Sequence, residues 1–137
     1  MTISEYDVHK FLDSNEKLVQ FMDKIRNREL ETTPIFVGTP KNEFITDKNA
    51  PWIRITTIPG DDADYADDER VIEYPRFQID FWIDKTKSKQ SLEMESIIYK
   101  IMRSFGFERY YKSRVTDSDI NTLLMIQGNF EFQGLID

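Results

Sequence analysis

From Arg76 to Asp84 the residues alternate without a break: Phe77, Ile79, Phe81 and Ile83 on one side, Arg76, Gln78, Asp80, Trp82 and Asp84 on the other. A helical period of 3.6 would scatter the four apolar residues around a cylinder, whereas the period of two in a strand puts them all on one face. The segment is therefore a strand with one face for a core and the other mainly for water or a partner. Pro75 has no N–H to give to a ladder and implies an edge position or a bend at the strand's start.

The flanking segments sort around this strand. Ser4 is placed to cap a short helix in which Val8, Phe11 and Leu12 share a face, and a second helical stretch aligns Leu18, Phe21, Met22 and Ile25. Asp13, Ser14 and Asn15 interrupt the pattern, and periodicity alone leaves open whether this is one bent helix or two. Ile35–Val37 reads as a short strand ended by Gly38 and Pro40, Lys41–Pro51 as a polar loop, and Trp52–Ile58 as a β-branched strand stopped at Pro59-Gly60. A helix follows from about Lys89 to Ser104, with Met94, Ile97, Ile98, Ile101, Met102 and Phe105 on one side and Gly106 as its stop. Phe107–Val115 and a final strand carrying Leu124, Ile126, Phe130 and Phe132 close the chain, with Gly128 as a bulge candidate. The expected fold is α+β: a mainly antiparallel sheet of four to five strands with two main helices on one face. At 137 residues, without repeats or a linker, residues 1–137 read as one domain.

Composition limits the chemistry. The chain holds 25 Asp and Glu against 18 Lys and Arg, a formal charge of −7, one His and no Cys. A net acidic chain is a poor general nucleic-acid binder, since such binders need a basic face. Without Cys there is no thiolate nucleophile, iron–sulfur cluster or Cys-based zinc site. No run approaches the roughly 18 apolar residues of a membrane span, and Glu5, Asp7 and Lys10 stand where an export signal would be apolar. A soluble, acidic, intracellular domain is expected.

A search for catalytic constellations finds no anchor. The single imidazole, His9, borders the apolar stripe of the first helix and reads as a boundary histidine; no Gly-x-Ser-x-Gly accompanies it. No Lys has an acid two residues before it, as restriction-type nucleases require. The five glycines are dispersed, so there is no phosphate-binding loop. The densest charge is Asp61, Asp62, Asp64, Asp67, Asp68 and Glu69, six acids within residues 60–69. Their spacing fails the calcium-loop pattern, which wants Gly where Asp67 stands. A solvated acidic loop is the expectation, with hard-cation binding, and hence a metal-dependent hydrolase, as the alternative of a different class.

Cations gather elsewhere: Lys85, Lys87 and Lys89, then Lys100, Arg103, Arg109, Lys112 and Arg114. Opposite charges on separate parts of one chain suit head-to-tail contact between identical copies. Trp82, opposite the predicted core face, marks either a second small core under the loop or an interface anchor.

Pro59-Gly60, Tyr65-Ala66-Asp67-Asp68-Glu69 and Gln78-Ile79-Asp80-Phe81-Trp82 together resemble the central signature of small tail proteins of long-tailed bacteriophages, the tail-terminator or tail-completion family that joins head to tail. The resemblance spans Pro51 to Phe132. It implies a non-enzymatic protein, active in a phage or prophage, that forms a hexameric ring, from a monomer in solution where the ring awaits its tube. That ring caps the major tail tube protein and docks it to the head connector protein. It implies a place in the virion tail or neck after assembly in the host cytoplasm, no cofactor, no membrane, and DNA passing through the lumen without specific binding. On this analogy the acidic segment faces the lumen or the next tube ring, and Lys85, Lys87, Lys89, Arg103 and Trp82 contribute to the subunit interface. Another neck or minor tail component, such as a head-completion protein, is the nearest alternative.

Overall fold

The computed structural model describes residues 3–66 and 69–134, and side chains throughout these except at 60–73. Two helices open the chain. α1 (Glu5–Asp13) begins at a capping box: Ser4 Oγ accepts the Asp7 N–H at 3.3 Å and the Asp7 carboxylate accepts the Ser4 N–H at 2.8 Å. It stops at Ser14, and Asn15 Oδ1 accepts the Leu18 N–H at 3.0 Å to start α2 (Glu16–Arg26). The cap-forming side chains of the interruption thus make two helices. α2 ends at Asn27, whose φ of 62° lies in the left-handed region used at helix C-termini.

β1 (Ile35–Val37), β2 (Trp52–Ala66), β3 (Glu69–Asp84), β4 (Phe107–Thr116) and β5 (Leu123–Phe132) form one sheet in the order β1-β2-β3-β5-β4. All neighbours are antiparallel except β1 and β2. α3 (Ser88–Ser104) lies between β3 and β4 and stops before Gly106, φ 92°. The expected α+β fold, mostly antiparallel, is observed, with three α-helices because the N-terminal stretch is divided.

One core joins the helices to the sheet. Val8, Leu12, Leu18, Met22, Met94, Ile98 and Met102 pack with Phe77, Ile79, Phe81, Ile83, Ile53, Ile55 and Phe107. The alternating face of β3 supplies four of these. Its other face bears a second core: Trp52, Trp82, Leu123 and Ala50, with Phe36, Phe44 and Ile45 packed against them. Trp82 is 7% exposed and stacks on Trp52 with ring centroids 5.4 Å apart. Trp82 thus belongs to a second core, against which Phe44 and Ile45 of the 38–51 connection pack.

Three expectations change. The acidic segment is not a loop at its described positions: Asp61, Asp62 and Asp64 lie in β2 and Glu69 opens β3, so the two strands run as a long hairpin. Asp67 and Asp68 lie outside the described residues, as do the side chains of the other four. Pro59-Gly60 marks an irregularity within β2 instead of its end: the register slips between Ile58 and Asp62. Pro75 sits opposite that slip and one residue beyond the pairing of β3 with β5, which begins at Arg76. Two residues without donors thus stand where the ladder is broken. Finally, the bulge lies on β4 at Tyr110, between the pairs Arg109–Phe130 and Tyr111–Asn129, and not at Gly128. Gly128 is needed for room, because a Cβ there would meet Phe130 Cε1 at 3.0 Å and Arg109 Cδ at 3.4 Å.

Candidate assembly surfaces

Beyond the slip, Asp62–Ala66 pairs with Glu69–Tyr74 and no other strand joins them among the described residues, so the hairpin continues as a two-stranded ribbon. Isolated two-stranded ribbons are marginal in water. Of the acids that the sequence singled out, Asp62 and Asp64 of β2 and Glu69 of β3 belong to this ribbon, and Asp61 lies in the slip before it.

The basic set does not form one patch. Lys85 and Lys87 occupy a short 3₁₀ turn after β3, and Lys89 lies in the first turn of α3. Arg103 is in the last turn, about 21 Å further along at 1.5 Å per residue. Lys87 Nζ donates to the Ile25 carbonyl at 2.7 Å, so its charge sits on the C-terminal turn of α2. Arg103 Nε meets Glu108 Oε2 at 3.2 Å, and Tyr99 Oη donates to Glu108 Oε1 at 2.7 Å. That bond, first among its causes, raises the Tyr99 pKa. Lys85 and Lys89 are exposed. His9 Nε2 is 2.9 Å from the Ile35 carbonyl, the backbone partner of a boundary histidine.

Two features escaped the sequence reading. The first is a polar cluster on the sheet face opposite the helices. Arg54 of β2 pairs in register with Asp80 of β3, Nη2 to Oδ2 at 2.6 Å. Gln78 Nε2 donates to both Asp80 oxygens at 3.0 and 3.1 Å. The Arg54 guanidinium lies over the Trp82 ring at 4.9 Å. Beside it a groove of about 530 Å³ runs between the 39–45 loop and the β4–β5 turn, with Trp52, Arg54, Trp82 and Asp117 on its walls. The indoles are packed on each other, so they offer this groove little surface for stacking. Asp117 accepts Trp82 Nε1–H at 2.7 Å and the N–H groups of Asp119 and Ile120 at 2.8 and 2.9 Å.

The second is β4, the outermost strand, with Tyr110, Tyr111 and Val115 about half exposed. A readable signal was present: Lys112 and Arg114 stand in a strand with few apolar residues, the usual marking of an edge. Among the described residues, no group of three His, Cys, Asp or Glu side chains is placed to hold a metal ion, and no helix is long and apolar enough to cross a membrane.

The fold has a counterpart in a virus-like particle. A chain in the virion of a native gene transfer agent particle superposes with a TM-score of 0.67 over 93% of this chain and 90% of that one, at 9% sequence identity. Likeness at that identity is one of fold. No family model matches the chain, and no curated protein matches its sequence.

Proposed function

We propose that this chain is a non-enzymatic structural protein of a phage-like particle, a tail terminator that assembles as a hexameric ring, caps the tail tube and docks it to the head connector. The observation that carries the reading is the fold shared, over nearly the whole of both chains, with a component of a gene transfer agent virion. The resemblance of Pro59-Gly60, Tyr65–Glu69 and Gln78–Trp82 to the tail-terminator signature supports the finer assignment.

The acidic ribbon suits the proposed role. DNA must slide through a tail without being held, and Asp61, Asp62, Asp64, Asp67, Asp68 and Glu69 would repel the duplex from a channel wall, the reverse of a binding groove. The exposed Lys85 and Lys89 are the cations offered to acidic residues of an adjoining copy or of the tube, with Lys87 beside them and Arg103 at the far end of α3 held in their own intrachain contacts.

The deciding experiment deletes the protein and images the particles. Overlong or headless tails support termination. Normal tails joined to heads overturn it. Filled heads that leak DNA without tail-length change point instead to head completion.

A further inference from the structure

The outer side of β4 has no strand against it among the described residues. Two backbone bonds fix which residues face that side. Gln133 N–H donates to Gly106 C=O at 2.8 Å at one end, and Asp117 N–H donates to Leu123 C=O at 2.9 Å at the other. Because strand residues alternate, and Tyr110 is the extra one, Phe107, Arg109, Lys112, Arg114 and Thr116 turn their N–H and C=O groups outward. Three of these five are cations. Glu95 lies 3.8 Å from Arg109 and 4.0 Å from Arg114, one carboxylate for two guanidinium groups, and Lys112 is exposed.

Such an edge disfavours pairing with its own copy, which would set cations against cations. It favours an acidic strand that is also unpaired on one side. This chain has one: among the described residues, 62–66 pair with β3 and with no other strand, and Asp62 and Asp64 are spaced two apart, as are Lys112 and Arg114. We infer that residues 62–66 of a second copy add to the outer edge of β4 as a further strand of its sheet, Asp62 and Asp64 lying against Lys112 and Arg114. The contact joins different surfaces of the two copies, so it repeats head to tail and closes into a ring when the rotation allows. The inference deepens the ring-forming reading and rests on it. It also stabilises a ribbon that is marginal alone.

The absence of cysteine allows a direct test. Ala63→Cys and Ser113→Cys single variants, at positions that this pairing sets opposite each other, are mixed at low salt and treated with a short bis-maleimide. The expected product is a 63–113 adduct in excess over 63–63 and 113–113, falling as salt rises. Lys112→Glu in the Ser113→Cys chain lowers its yield, and adding Arg114→Glu lowers it roughly tenfold. Asp62→Lys/Asp64→Lys in the Ala63→Cys chain restores it, which mere damage to folding would not do. Self-adducts only, no adduct, or yields indifferent to these charges overturn the strand addition. The tail phenotype of the deletion is independent of this result, so failure here leaves the proposed function standing, whereas normal tails in the deletion remove the function itself.

Discussion

Asp80 is fully buried on the sheet face away from the helices, and its carboxylate is held by Arg54 at 2.6 Å from the neighbouring strand. Gln78 supplies the remaining donors, so the charge is both paired and hydrogen-bonded, the condition on which burial of a carboxylate is tolerated. The pair is directly cross-strand and fixes the register of β2 against β3 near the start of β2, at the end away from the ribbon.

Removing one partner leaves the other without compensation. Breaking a buried pair costs roughly 3–5 kcal/mol, and because the Arg54 side chain keeps 26% exposure the lower end applies. Asp80→Ala is expected to lower the unfolding free energy by about 3 kcal/mol, read as a fall in the urea midpoint with unchanged slope. Arg54→Met/Asp80→Leu, which removes both charges, should cost less than Asp80→Ala alone. A double variant as damaging as the two singles added would show that the residues do not act as a pair.

The sequence carried the elements whose pattern is local. The alternation at Phe77–Ile83 and the stripe Met94–Met102 are visible because each residue's burial follows from its own neighbours along the chain. The Arg54–Asp80 pair is not local: β2 and β3 meet through a register that no single segment specifies. Nor is the second core, where Trp82 is covered by a connection that reads as polar except for Phe44 and Ile45. The acidic run looked like a loop because charge and a Pro-Gly pair are ordinary loop markers, yet backbone pairing with Glu69–Tyr74 overrides both. Lys87 and Arg103 looked free because their intrachain acceptors, Ile25 C=O and Glu108, come from other elements.

Asp117 makes the β4–β5 turn sensitive to acid. Burial pushes its carboxyl pKa up, but the N–H bonds from Ile120 and Asp119 and the Trp82 indole outweigh that, and the net shift is downward. A depressed folded pKa means stability present above the unfolded carboxylate value, about 3.9, and lost as pH falls through the lower folded value. Asp117→Ala strands the Trp82 Nε1–H and should cost about 1–3 kcal/mol at pH 7, with altered tryptophan fluorescence. The gap between variant and wild type should narrow below pH 4, by urea titration at several pH values. A gap that stays constant down to the acid limit would refute a role for the ionised form.

Gly128 tests packing on the helix-facing side. Its missing side chain makes room for the Phe130 ring, itself 2% exposed, with Arg109 behind. A Cβ at 3.0 Å from an aromatic carbon forces a buried ring to move, and overpacking of this kind costs about 1–3 kcal/mol. Gly128→Ala should fall at the low end and Gly128→Val at the high end, measured as a stepwise loss of thermal midpoint. Equal midpoints for the wild type and both variants would show that the site accommodates a side chain freely.

The lysines before α3 separate intrachain from intermolecular charge. Lys87 donates to the Ile25 carbonyl at the C-terminal turn of α2, a place where a cation is worth about 0.3–1 kcal/mol. Lys87→Met should therefore lower stability by about that amount. Lys85→Glu and Lys89→Glu, at exposed side chains, should stay within about 0.5 kcal/mol of wild type. The two reversals should instead reduce oligomer mass at low salt, since repulsion would replace attraction across the proposed contact with acidic residues of another copy. Sedimentation of the double reversal beside Lys87→Met reads both effects together. If the reversal loses stability but keeps its oligomers, these lysines serve their own fold and the basic set plays no part in assembly.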